Sequence, residues 1–219
     1  PSLLLQTASL LTHLGYEVKL FPYVDSGKTW HVKGFLDQFE RCSRYNMDLF
    51  VQAKEQGYFI VGVEPSMVSF FRKDYGDVFY EQGLDKTVLL IQELLDKSDI
   101  VIKTENQNKE PYYLLNHCME LSMEGDMDKI WERVFKKMGL SLELIKSGCC
   151  GMAGIFGMET RHEHLSTTIY KDHYQKVFCG KDLSRVLATG FSCRSQIKYF
   201  EKIDVKHPVD VLLTYLNST

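Results

Sequence analysis

The chain has 219 residues, 44% hydrophobic and 25% charged, which suits a globular fold of one large domain or two small ones. A net charge of -3 and a pI near 6.2 supply no basic excess to neutralise phosphates, which argues against nucleic-acid binding. No apolar run is long enough to cross a bilayer, PSLLLQTASLL lacks a basic leader, and six cysteines are too sparse for a disulfide scaffold. These features place the chain in the cytoplasm, with peripheral contact to a membrane left open and with its cysteines as thiols or metal ligands.

Taken in order, residues 3–14 carry Leu4, Ala8, Leu11 and Leu14 at helical spacing, and Gly15 ends that helix. EVKLF (17–21) reads as a strand, and Phe35, Phe39, Cys42, Leu49, Phe50 and Ala53 mark a helix stopped by Gly57. YFIVGV reads as a buried strand closed by Pro65, with a helix over 66–75 and another over 86–97, KTVLLIQELLDK. The polar stretch 103–111 reads as a loop and supplies a domain boundary, dividing the chain into 1–105 and 106–219. Beyond it come a strand (112–115), a helix (126–137), a strand (142–146), a helix (161–178), a strand (185–189) and helices after Cys193 and Pro208. This alternation predicts an α/β fold with a parallel, doubly wound sheet.

The two halves look related. GYEVKLFPYVDSG from Gly15 and GLSLELIKSGCCG from Gly139 both span 12 positions between their outer glycines. Downstream, Gly27 to Met67 is 40 positions and Gly151 to Cys193 is 42. A duplication into two Rossmann-like repeats is the expectation. Cys118 lies 31 positions before Cys149, and the same step back from Asp25 falls before Pro1, so the first repeat is expected to lack its leading strand and the chain to be a piece of a longer one.

The chemistry gathers in the second half. Cys118 follows YYLL, the adjacent pair Cys149 and Cys150 follows LELIK, and Cys193 follows VLAT. Neighbouring cysteines pair poorly with each other, and in a parallel sheet all strand ends share one edge, so the four sulfurs are expected to converge there. Four thiolates suit an iron-sulfur cluster or a tetrahedral zinc, and a vicinal redox thiol pair is the alternative. Gly148, Gly151, Gly154 and Gly157 let backbone amides approach such an anion. Cys42 and Cys179 read as small buried hydrophobes.

Other residues are less specific. Gly27-Lys28-Thr29 resembles the end of a phosphate loop, but Pro22 stands where that loop needs a glycine. Lys28, His31 and Lys33 remain candidates for an anion or a substrate carboxylate. In RHEH the HExxH spacing is missing; His164 reads as a solvated face and His162 as a residue that could turn toward the glycine loop. His117, beside Cys118, is either a hydrogen-bonding residue or a ligand.

YYLLNHC, SGCCGMAGIFG with RHEHLS after it, and ATGFSCRSQ resemble the cysteine-rich CCG domain found in heterodisulfide reductases, in anaerobic glycerol-3-phosphate dehydrogenases and in the iron-sulfur component of glycolate oxidases. SGKTWHVKGFL, VGVEPSM and KHPVDVLL extend the resemblance to the C-terminal region of FAD-linked D-2-hydroxy-acid dehydrogenases, of the D-lactate and D-2-hydroxyglutarate type, over nearly the whole chain. The resemblance implies an electron-transfer role in which a flavin domain oxidises the hydroxy acid and iron-sulfur centres pass electrons to an acceptor. It makes Cys118, Cys149, Cys150 and Cys193 the cluster ligands, and it makes the flavin domain and a ferredoxin-like domain partners in the longer chain. Many members of the family end in a CxxC pair, but here Gly190 stands three positions before Cys193 and Ser195 and Gln196 follow it, so one cysteine remains, which leaves a four-cysteine cluster, a zinc or a metal-free structural module as the options. On this reading the chain alone does not turn over.

Overall fold

The computed structural model describes residues 2–79, 87–99, 110–123 and 125–218. The boundary near 105 and most of the loop before Pro111 lie outside the described residues.

Helix α1 (Ser2–His13) is followed by extended chain, then by α2 (Lys28–Val32) and the long α3 (Leu36–Glu55). Strand β1 (Ile60–Gly62) leads into α4 (Pro65–Arg72) and α5 (Asp74–Val78), and β2 (Val88–Leu90) into α6 (Ile91–Lys97). In the second half, β3 (Tyr112–Leu115) precedes α7 (Cys118–Leu121) and α8 (Met127–Lys137). Next come β4 (Leu142–Leu144), α9 (Glu163–His173), β5 (Val186–Ala188), α10 (Phe191–Glu201) and α11 (Pro208–Leu216).

The fold is mixed α/β, as expected, and its strands form two small parallel sheets. One pairs β1 with β2; the other has the order β4-β3-β5, extended by a parallel bridge between Leu187 and Lys206. Every residue of β2 and of β5 is buried, as befits strands of parallel sheets covered by helices. One apolar core crosses both halves, with Leu10, Phe50, Tyr75, Trp131, Phe135 and Val209 in it; α1 packs on α11, and α6 on α8. A second cluster around Tyr170, Tyr174, Cys193 and Ile197 sits behind the cysteine edge.

Several elements differ from their sequence reading, each for a local reason. Residues 17–21 are extended but form no strand, because no described strand lies beside them to complete a ladder. The run expected as one helix over 86–97 splits: β2 takes the apolar Val88–Leu90, and α6 starts at Ile91, where the Glu93 carboxylate accepts from the Leu90 amide at 2.6 Å. Lys86 itself is outside the described residues. The helix expected over 161–178 holds its α-helical form only over Glu163–His173, with 3₁₀ turns on either side. The short α2, α5 and α7 are too brief to register as periodicity.

Candidate functional site at the carboxyl edge of the second sheet

β3, β4 and β5 are parallel, so their carboxyl ends lie on one edge, and each following segment brings a cysteine to it. Cys118 opens α7, Cys149 and Cys150 lie in the loop after β4, and Cys193 sits in the first turn of α10. The four sulfurs form a row of contacts: Cys118 with Cys149, Cys149 with Cys150, and Cys150 with Cys193. The row runs from the surface inward, since Cys118 is exposed, Cys149 half-buried, and Cys150 and Cys193 buried.

Hydrogen bonds from Cys118 and then Cys150, with the Gly151 amide at 3.3 Å, hold the Cys149 thiol far below its usual range. Cys118 and Cys150, which donate in the row, are pushed up. Cys193 is lowered, first by Cys150 and also by the Tyr174 hydroxyl, which donates to its sulfur at 3.1 Å. Among the described residues, no group of three or more His, Cys, Asp or Glu side chains is placed so that it could hold a metal ion. The donor set, four sulfurs brought from three parallel strand ends, nonetheless has the soft-ligand chemistry of a thiolate metal site.

The surrounding loop is tightly constrained. Gly151 has φ +86°, and a Cβ there would lie 2.4 Å from the Ser166 carbonyl; Ser166 in turn donates to the Gly151 carbonyl at 2.9 Å. Gly148 backs onto the His173 ring, and Gly154 occupies an open turn. Gln196 donates to the Cys150 carbonyl and to Ser166, each at 3.0 Å, tying the loop to α10. His162 stacks on Phe156 with ring centroids 3.9 Å apart and lies beside Glu159; His164 is exposed, as its solvated face suggested.

His117 is a hydrogen-bonded cap. Its Nδ1 accepts from the Met119 amide at 3.1 Å, which leaves Nε2 to donate to Ser192 Oγ, also at 3.1 Å. Burial pushes its pKa down, so the ring is neutral and both nitrogens are engaged. Below it Glu120, fully buried, accepts from Gln92 at 2.7 Å and from Thr189 at 2.6 Å. Burial raises its pKa to about 7.

The first half contributes from across the site. Glu64, in the turn before α4, accepts from the Phe191 amide at 2.8 Å and so caps the helix that carries Cys193. Lys28 donates to the Ser66 carbonyl at 2.8 Å, has its pKa lowered by burial, and acts electrostatically on His117; Lys33 acts on Glu159. His31 is turned inward instead, 3.4 Å from Asp74 and packed on the rings of Phe39 and Phe70. Asp25 is engaged locally by the Gly27 amide at 2.9 Å and by Trp30 at 3.2 Å.

The structure brings the four cysteines together, and the residues around them that the sequence did not single out are Tyr174, Gln196, Glu120 and Glu64. Of these only Glu64 had a signal, its place before Pro65 at the start of a helix. Cys179 is exposed and Cys42 half-buried, which corrects the expectation that both are buried hydrophobes; the chain ends its 3₁₀ turn at Phe178 and carries Cys179 out to solvent.

Comparison with known proteins points to a class of oxidoreductase, the D-2-hydroxy-acid dehydrogenases, as the source of this chain's relatives. The D-2-hydroxyglutarate dehydrogenase of Haemophilus influenzae is 35% identical over 215 residues, 94% of this chain and 21% of the relative. Those of Pantoea ananatis and Escherichia coli are 35% and 33% identical over 93% of this chain and 20% of each relative. The chain thus spans about a fifth of the length of the curated relatives it matches, and the match falls in their C-terminal part. No protein-family model and no solved structure matches the chain. Among the described residues no helix is long and apolar enough to cross a membrane.

Proposed function

We propose that the chain is the C-terminal redox unit of an FAD-linked D-2-hydroxy-acid dehydrogenase, in which Cys118, Cys149, Cys150 and Cys193 hold one iron-sulfur centre. The observation that carries this reading is the row of four sulfurs drawn from three parallel strand ends. Similarity to the D-2-hydroxyglutarate dehydrogenases over nearly the whole chain supports the choice of enzyme. When bound, such a centre would supply one-electron transfer between the flavin and an acceptor.

The chain's own residues suit that task. The Gly151 amide and the Tyr174 hydroxyl donate to sulfur and favour its anionic form; Gln196 and Glu64 fix the two segments that carry Cys150 and Cys193. Tyr170, Tyr174 and Ile197 exclude water from the inner end, and the exposed Cys118 gives the outer end to a partner. Lys28 and Lys33 face this edge from the first half and are the positions at which an anionic group would be met; Gly148, Gly154 and His162 shape the loop around it.

We take the halves 1–105 and 106–219 to be two related units, the first without the cysteines. The partners on this reading are the flavin domain and a ferredoxin-like domain of the same polypeptide, and an electron acceptor. Six free cysteines support a reducing compartment, the cytoplasm.

The test is the full-length enzyme with Cys149→Ser and Cys150→Ser together. Loss of iron and of electron delivery to an acceptor, with flavin still reduced by the hydroxy acid, is expected. Unchanged iron content and unchanged acceptor reduction would overturn the assignment; zinc in the unaltered enzyme would convert the site to a structural one.

A further inference from the structure

The first half contains an open slot where the second has its central strand. A cavity of about 450 Å³ lies between residues 16–22 on one side and 58–63, which include β1, on the other. Leu4, Ala8 and Leu11 of α1 and Leu49 and Ala53 of α3 complete its walls. Both side walls are unfinished backbone. Among the described residues β1 pairs only with β2, and the backbone of 17–22 makes no hydrogen bond to another backbone group. Their side chains are left out as well: Leu20 is 54% exposed, Phe59 67% and Leu4 50%. Apolar walls with unpaired amides and carbonyls are the two features of a site that takes another strand, where main-chain bonds hold it and side-chain pockets select it.

The second half gives the counterpart. Ile60 corresponds to Val186 and Pro65 to Phe191, each 126 positions further on, so β1 matches β5 and α4 matches α10. Gly15 corresponds to Gly139, 124 positions on, which sets residues 18–20 opposite β4. Between β4 and β5 lies β3, hydrogen-bonded to both. Between residues 18–20 and β1 lies the slot.

We propose that this slot is a strand-acceptor site, filled in the longer polypeptide by an extended apolar segment upstream of Pro1, parallel to β1. The register fixes its place. Leu115, the last residue of β3, precedes Gly139 by 24 positions, and the same step from Gly15 ends the inserted strand about ten residues before Pro1. The occupant is a segment of the same polypeptide because the chain spans about a fifth of its relatives, which leaves most of the molecule outside it. The strand would join residues 17–22 to β1–β2 as one four-stranded sheet and tether the first half to whatever domain precedes it. This goes beyond the electron-transfer reading and does not need the cysteines, although it rests on the two-unit correspondence.

Two measurements on the full-length enzyme test it. With Phe59 replaced by the photoreactive benzoylphenylalanine, illumination is expected to link it within one molecule to a peptide ending about ten residues before Pro1. Amide exchange over residues 17–22 is expected to be slowed about 100-fold or more relative to unstructured chain, and to return to loop rates with Ala8→Trp, which fills the slot from α1. A crosslink between two copies, a crosslink to some other part of the polypeptide, or unprotected amides at 17–22 in the unaltered enzyme would each overturn the proposal. None of these depends on iron content, so it can fail while the redox reading stands, and the reverse.

Discussion

A side chain at Gly190 would place its Cβ 2.1 Å from His117 Cδ2 and 3.2 Å from Cys193 Sγ. Neither can retreat easily, since His117 is locked by bonds to Met119 and Ser192 and Cys193 is fully packed. Gly190→Ala is therefore expected to cost about 1–3 kcal/mol of overpacking strain, read as a lowered thermal midpoint, and to turn His117 off its cap.

His207 gives a second residue-scale test. It is fully buried, caps α11 by accepting from the Val209 amide at 3.2 Å, and burial holds its pKa well below the ordinary value. The unfolded chain carries it near its usual pKa of about 6.5, so below that pH the unfolded state binds the extra proton. Its contribution is complete above about pH 6.5 and is lost as pH falls toward the folded value. His207→Asn keeps a capping side chain, and its stability difference from the unaltered chain should shrink between pH 7.5 and 5.5. A difference independent of pH would contradict this.

At the scale of elements, α4 is joined to α6 by an ion pair, and to β2 by a hydrogen bond, that the sequence conceals. Arg72 donates to the Val88 carbonyl at 2.7 Å and pairs with Glu93, whose side chain also receives the Leu90 amide; the two side chains are 11% and 13% exposed. Arg72→Met would strand the Glu93 carboxylate, and a loss of about 3–5 kcal/mol is expected by urea denaturation. The double change Arg72→Met with Glu93→Gln should recover part of it. Glu64→Ala is milder: it removes the acceptor for the Phe191 amide and should cost about 1 kcal/mol, loosening the start of α10.

The same scale shows what a sequence can and cannot disclose. The apolar stripe Met127, Ile130, Trp131, Val134 and Phe135 announces α8, because a face buried at 3.6 spacing is written locally. EVKLF announces a strand equally well by alternation, yet a strand exists only with a neighbour, and none is described beside residues 17–21. Val88–Leu90 was hidden for the opposite reason, as a short apolar run continuous with a helix reads as part of it. The cysteines were legible because each closely follows a strand in sequence. Tyr174, from the far end of α9, and Glu64, from the other half, reach the site only through tertiary packing.

For the whole molecule, the two halves meet where chemistry is expected. A shared core runs through both, and Glu64 and Lys28 of the first act on the helix and histidine that frame the sulfurs of the second. The first half thereby braces the cysteine edge through Glu64, while its Asp25 and Ser26 accept from the Gly27 and Lys28 amides in a local turn. The most direct measurement is the iron and acid-labile sulfide content, with a visible spectrum, of the full-length enzyme purified without oxygen. The C-terminal centre should appear as iron, sulfide and broad visible absorbance that are lost with Cys149→Ser and Cys150→Ser while any other centre remains. Iron and absorbance unchanged by that pair of substitutions would contradict a cluster at these four cysteines.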